Sequence, residues 1–297
     1  RGVLAKLHKA GYPVAGFDMY VTSTVLPGSG LSSSAACEVL IGTTGNHLFC
    51  QDKFDAVEIA KIGQAAENEY FGKPCGLMDQ TASSVGDAVA IDFKDPANPI
   101  VRSINADLTG LGLALCIIDC GADHAALTNE YASIPEEMSK VAAHFGKKVL
   151  REVKEEDLLA DLAQVRKEAG DRAVLRALHF YADDRRAAEE ADALDRKDKE
   201  AFLNLVKESG RSSWELLQNI TPAAAVTHQD MAVALAVAEK ALNGKGACRV
   251  HGGGFAGTIQ AFVPVEDVCK FKKTMETMLS EGCCHVLSIR PAGGLIL

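Results

Sequence analysis

From Thr128 to about Leu242 the sequence reads as helix with little interruption, and strand patterns lie on both sides of that tract. The helical stretches are residues 130–145, 156–168, 171–194, 199–209 and 222–242. A buried strand at 111–119 precedes them. Strands at 247–250, 258–263 and 285–290 follow, with a helix at 265–279 before the last. Upstream, Phe17, Met19 and Val21 alternate within residues 16–25, which predicts a strand. Helices are predicted at 32–49, 54–70 and 77–84, and a short strand at 89–93. Val3, Leu4 and Leu7 already read as one face of an amphipathic helix. Helices and strands mix without regular βαβ alternation, so the fold class is α+β rather than a doubly wound sheet. The turn-rich stretch near 95–110 divides the chain into domains 1–105 and 106–297.

Composition narrows the function. Apolar residues make up 47% and charged residues 24%, enough for a core and too apolar for a disordered tail. With 31 Lys+Arg against 40 Asp+Glu the net charge is −9, and no basic stripe interrupts the acidic balance. Nucleic acid is therefore a poor partner. The longest apolar runs, such as Leu113 to Ile118, are far too short to cross a bilayer. Nine cysteines without a C-x-x-C pair suit buried thiols in a reducing cytosol.

The first chemical motif is Pro27-Gly28-Ser29-Gly30-Leu31-Ser32-Ser33-Ser34, between the strand pattern and a helix. Glycines let backbone N–H groups face a ligand closely. The helix N-terminus adds oriented amides and partial positive charge, and the hydroxyls add donors. This is an anion cradle whose natural occupant is a di- or triphosphate. The bland alternative is a serine-capped helix after a tight turn. A dinucleotide fingerprint fails because Ser33 stands where a third glycine belongs, and a Walker A loop fails for want of its lysine.

The second motif runs from Glu67 to Gln80. Asp79 falls in the first turn of a new helix, where the dipole favours a carboxylate, and it can take or orient a hydroxyl proton in phosphoryl transfer. Gly76 leaves room for a bound molecule beside the backbone, and Glu67 is placed to hold Mg²⁺. Dipole stabilisation alone would also explain Asp79. The third motif, His251-Gly252-Gly253-Gly254-Phe255-Ala256-Gly257, again suggests backbone close to a ligand, or simply a glycine-rich hairpin. An esterase oxyanion loop is excluded, since no serine has glycine at both G-x-S-x-G positions.

Together these segments resemble the kinase superfamily of galactokinase, homoserine kinase, mevalonate kinase and phosphomevalonate kinase. Pro27 to Ala35 is similar to its phosphate-loop motif. Pro74-Cys75-Gly76-Leu77-Met78-Asp79-Gln80 resembles galactokinases in particular, as does the segment 128–137 with Tyr131. Residues 252–257 resemble the third motif, departing with His251 for the usual threonine and Ala256 for a glycine.

The resemblance implies a two-domain small-molecule kinase fold, with a ribosomal protein S5 domain 2-like N-terminal part and a ferredoxin-like C-terminal domain. It implies ATP held by Pro27 to Ser34, Mg²⁺ on Ser34 and Glu67, and Asp79 as the catalytic carboxylate. It also implies galactose touched by Gly76, Asp79, Tyr131, Gly253 and Gly254. The expected product is galactose 1-phosphate, made in the cytoplasm by a monomeric parent with no membrane or nucleic-acid partner. N-acetylgalactosamine kinase, or a non-catalytic sensor of ATP and sugar, are the alternatives. Galactokinases also carry Gly-Arg-x-Asn-(Leu/Ile)-Ile-Gly-Glu-His-x-Asp-Tyr upstream, and no such run occurs here. The expectation is that this chain, which does not begin with Met, matches the later part of a galactokinase and does not turn over galactose alone.

Overall fold

The computed structural model describes residues 1–25, 31–72, 75–121, 127–255 and 257–297. Two compact units divide the chain: Arg1–Ala106 with Ile289–Leu297, and Asp107–Ser288. The sequence reading put the whole of 106–297 in one domain. Instead the C-terminal segment returns to the first unit, where the Asp87 N–H donates to the Arg290 carbonyl at 2.7 Å.

The first unit is a helical layer beside a hairpin. Helix α1 (Gly2–Lys9) buries Val3 and Leu7. Helix α2 spans Ser33–Cys50 and α3 spans Ala56–Ala65. Glycines on α2 admit both neighbours: a Cβ at Gly45 would stand 2.7 Å from Leu7 Cδ1, and one at Gly42 2.8 Å from Ile59 Cγ2. Asp55 and Glu58 close a capping box at the start of α3, each carboxylate accepting the other's backbone N–H at 2.8 Å. A π-helical turn, Ala66–Phe71, continues α3 and stops at Gly72 in the left-handed region. Helix α4 (Met78–Val85) leads into strands β1 (Ala88–Asp92) and β2 (Ile100–Ile104), paired antiparallel with Ala88 opposite Ile104.

Residues 16–25 are not the strand that alternation predicts. No strand among the described residues pairs with them, so no ladder forms. Phe17 rests on Phe49 of α2, while Tyr20 is 92% exposed.

The second unit is built on β3 (Leu113–Asp119), β4 (Ala247–Val250), β5 (Thr258–Pro264) and β6 (Cys284–Leu287). They pair antiparallel in the order β4-β5-β3-β6. With the chain order β3, helices, β4, β5, helix, β6, this is the split-βαβ arrangement of ferredoxin-like folds. Helices α10 (Asp230–Leu242) and α11 (Val268–Met278) supply Met231, Leu235, Phe271 and Met275 to the core against the sheet.

Between β3 and β4 lie α5 (Thr128–His144), α6 (Glu155–Ala160), α7 (Leu162–Ala169), α8 (Asp171–Asp195) and α9 (Lys199–Ser212). Much of this helical block shares a second apolar core around Val141, Leu158, Val165 and Val174. Two predicted helices are shortened. Asp161 leaves helical geometry and splits 156–168 into α6 and α7. Residues 222–229 form turns, because the Gln229 side chain donates to the carbonyls of Ala225 and Val226 that a helix would use.

Candidate functional site

Part of the predicted phosphate loop, Pro27, Gly28, Ser29 and Gly30, lies outside the described residues. The helix start that follows is clear. Ser32 occupies the N-cap of α2 at φ 52° and ψ 59°, and its side chain makes no capping hydrogen bond. The serines therefore do not serve as an ordinary cap. Ser33 and Ser34 are exposed in the first turn, beside N–H groups that point out of the helix end.

The π-helical turn 66–71 builds the second part of the site. Widening the last turn of a helix shifts which residues share a face, and such turns recur at functional positions. Here Asn68 faces the segment that carries Gly76 and Asp79. Its Oδ1 accepts the Cys75 N–H at 2.7 Å, and its Nδ2 donates to the Cys75 carbonyl at 3.4 Å. Gln64 of α3 donates to the same carbonyl at 3.2 Å. Glu67 is only 5% exposed and accepts from Gln80 Nε2 at 3.1 Å. The same nitrogen donates to Glu38 of α2 at 3.0 Å and lies 3.6 Å from Cys75 Sγ. Burial, with the neighbouring Glu67 carboxylate, pushes the Cys75 thiol up to about 11. Asp79 is exposed in the first turn of α4. Gly76 is exposed too, and a Cβ there would meet nothing within 4 Å.

The second unit assembles Tyr131, Gly253 and Gly254. Tyr131, in the first turn of α5, donates its hydroxyl to the Gly254 carbonyl at 2.8 Å and meets Phe255 edge-on at 5.5 Å between ring centres. Burial raises the pKa of the Tyr131 hydroxyl. Asn219 Nδ2 donates to the Gly253 carbonyl at 3.2 Å, and the Phe255 N–H donates to the Asn219 carbonyl at 2.5 Å. Gly254 has φ +82°, and a Cβ there would fall on the Asn219 carbonyl oxygen. Glycine at 254 thus has a reason inside the protein. Gly253 is exposed.

Structure therefore brings Glu67 and Gln80 together beside Asp79 in one unit, and Tyr131 with the glycine turn in the other. Sequence reasoning missed Glu38, Gln64, Asn68, Gln80 and Asn219. The available signal was amide and acid side chains within apolar helical stretches, where buried polar groups need partners. A cavity of about 390 Å³ in the first unit is lined by Leu40, Thr44, Ser83, Asp87, Arg290 and Ile296, and by none of the predicted site residues. Among the described residues no three His, Cys, Asp or Glu side chains gather as a ready metal cage. No described helix is long and apolar enough to cross a membrane.

Residues 1–87 match the family described as GHMP kinases N terminal domain, which places the chain in a class of small-molecule kinases. The galactokinase of Streptomyces coelicolor is 33% identical over 275 residues, covering 93% of this chain and 68% of that protein. That of Glaesserella parasuis is 33% identical over 266 residues, covering 88% and 65%. The fold is that of Lactococcus lactis galactokinase complexed with galactose (TM-score 0.78, 23% identity, 100% of this chain and 75% of that one). L. major mevalonate kinase in complex with R-mevalonate is more distant (TM-score 0.57, 12% identity, 91% and 68%). The chain belongs to the galactokinase family, a family of sugar kinases within the GHMP kinases. It spans about two thirds of the length of the curated relatives it matches: 68% and 65% for the two above.

Proposed function

We propose that the whole protein transfers the γ-phosphoryl group of ATP to the C1 hydroxyl of galactose. The oxygen of that hydroxyl bonds to phosphorus, the bridging β–γ P–O bond breaks, and ADP leaves. The observation that carries this reading is the uncapped start of α2 in the same unit as the braced segment that presents Asp79. The α2 amides, with Ser32 to Ser34 and the preceding glycines, bind the phosphates. Asp79 takes or orients the hydroxyl proton, and its exposure leaves it open to a sugar. In the first unit the exposed Gly76, beside Asp79, leaves room for galactose. In the second, Tyr131 and the exposed Gly253 are the candidate sugar contacts, and the buried Gly254 shapes the turn that carries them.

Glu67 and Ser34 are oxygen donors of one unit, which suits a hard cation such as Mg²⁺. When bound with ATP, Mg²⁺ neutralises phosphate charge. Glu67 would hold it with its carboxylate already oriented by Gln80. The cysteines described are all free thiols, which supports a reducing cytoplasmic setting.

A coupled ADP-release assay on the whole protein tests the reading, with galactose and N-acetylgalactosamine as alternative acceptors. Galactose should be the faster substrate, and Asp79→Asn should lower kcat by about 10²–10⁴-fold with KM little changed. An Asp79→Asn kcat within about threefold of the parent removes the catalytic role. Preference for N-acetylgalactosamine moves the substrate, and binding of ATP and sugar without ADP release makes the protein a sensor.

A further inference from the structure

Gln80 is 1% exposed, next in sequence to Asp79, and no sequence motif assigned it a task. A buried carboxamide is costly unless it is bonded. Its NH₂ is the meeting point of three elements: Glu38 from α2 at 3.0 Å, Glu67 from the π-helical turn at 3.1 Å, and α4 itself. Cys75 Sγ stands at 3.6 Å from the same nitrogen. Gly63 of α3 makes room, since a Cβ there would stand 3.2 Å from Glu38 Cβ and 3.4 Å from Gln80 Cγ. Two carboxylates thus share one neutral donor.

We propose that Gln80 is the positioning residue of this site. Its amide, held between Glu38 and Glu67, fixes the first turn of α4 that carries Asp79 and orients the Glu67 carboxylate.

The residue type follows from the chemistry. A lysine would form ion pairs and cancel the charge that Glu67 offers a cation. A leucine would leave both acids without the donor. A glutamate would bring a third carboxylate beside two others, and like charges at such range disfavour one another. An amide holds both acids and leaves their charge in place. Among the described residues the buried Gln80 Oε1 has no hydrogen-bond partner, so the bonds that Gln80 makes here run through its NH₂.

The inference rests on the reading of Asp79 and Glu67 given above, and an exchange experiment separates the two. Gln80→Glu should lower both the thermal midpoint and kcat, the latter about tenfold or more as α4 shifts, with KM for galactose little changed. Glu38→Gln should be mild, because an amide oxygen can accept the same N–H. Glu38→Gln combined with Gln80→Glu restores two acids and one amide, and should recover much of the midpoint and of kcat. A combined variant no better than Gln80→Glu alone overturns the bridge. A Gln80→Glu enzyme with the parent's kcat overturns the positioning role, as does one whose loss lies wholly in the folded fraction. A parent that releases no ADP with galactose fails the functional reading instead, while the midpoints still report on the bridge.

Discussion

Each unit carries a π-helical turn, Ala66–Phe71 in the first and Ser213–Leu217 in the second. Each prolongs a helix, and each ends on a left-handed residue, Gly72 at φ 76° or Gln218 at φ 57°. Asn68 within the first turn, and Asn219 just past the second, brace a glycine-bearing segment. In the first unit the brace is made of side chains, two of them acidic: Glu67, Asn68, Gln80 and Glu38. In the second it is mainly neutral and runs through the backbone, with Asn219 and Tyr131 gripping Gly253 to Phe255. The first arrangement fixes one carboxylate and leaves open space at Gly76. The second fixes the course of the chain and fills the space at Gly254. A side-chain brace is sensitive to charge and a backbone brace to volume, so the two should fail in different ways.

One of the largest effects expected in the second unit is at Arg176. This guanidinium is 0% exposed, and burial lowers its pKa. Its Nη1 donates to Glu137 and Ser133, both at 2.9 Å, and its Nε donates to the carbonyl of Leu217 at 3.1 Å. It therefore ties α5, which carries Tyr131, to the end of the π-helical turn that leads to Asn219. Breaking a buried pair from one side costs about 3–5 kcal/mol, and Arg172 still pairs with Glu137, so Arg176→Met should fall near the lower end. Denaturant titration checks this. A loss no larger than that of a surface substitution would detach the turn from α5.

Next is the volume test. Gly254→Ala places a Cβ on a backbone oxygen at a left-handed position. About 1–2 kcal/mol for the handedness and ~1–3 for the overpacking should lower the midpoint by on the order of 10 °C. Gly76→Ala should leave the midpoint within a degree or two of the parent, since stability there has nothing to lose, yet weaken galactose binding, roughly by the few-fold effects of small surface changes. Equal midpoints for the two variants would erase the contrast between the units. A third step is smaller. Tyr131→Phe removes one hydrogen bond to Gly254 and should cost about 1 kcal/mol.

Much of this architecture was legible in the sequence, for identifiable reasons. Helices with a clear apolar face, such as α1 and α9, and strands with long apolar runs, such as β3, carry their burial in their periodicity. Residues 16–25 misled because alternation reports a two-sided segment and not the ladder that makes it a strand. Strand β2 was missed because Asn98 and Pro99 merge with the turn before it, and most of the strand is exposed. The return of Ile289–Leu297 to the first unit is a tertiary event with no local signature. Asp79 stands in the first turn of α4, where the helix pattern put it, and Tyr131 was singled out through the resemblance; their roles belong to the proposed function. Gln80, Asn68 and Asn219 act by converging across elements, which no spacing along one helix reveals.

The smallest effect concerns pH, and it asks whether charge sensitivity in the second unit lies away from the neutral brace. His144, at the end of α5, is 14% exposed at its side chain and lies between two carboxylates. Nδ1 pairs with Glu168 at 2.7 Å and Nε2 with Asp161 at 2.8 Å, and Gln164 also donates to Glu168. A neutral imidazole has one N–H, so only the imidazolium donates at both nitrogens. Its pKa is raised, first by the hydrogen bond to Glu168 and then by that to Asp161. The sign follows by linkage. Stabilisation from a raised pKa is fully present below the unfolded value of about 6.5 and is lost as pH climbs through the folded value. Glu168 is lowered, chiefly by His144, so its share appears above the usual carboxylate range and is lost on acidification. Buried His179 is lowered by desolvation, so its contribution is lost as pH falls and does not mimic the alkaline loss. The parent should therefore lose a little stability on going from slightly acid to mildly alkaline solution, and His144→Gln should lose that slope and converge on the parent at the alkaline end. Hydrogen-exchange protection, corrected for the intrinsic pH dependence of amide exchange, should change in α5 to α7 and stay constant at Gly253 to Phe255, because the Tyr131 hydroxyl, raised by burial, stays protonated throughout. The same slope in both proteins, or protection at the glycine turn that changes with pH, would mean that charge reaches the second brace as well as the first.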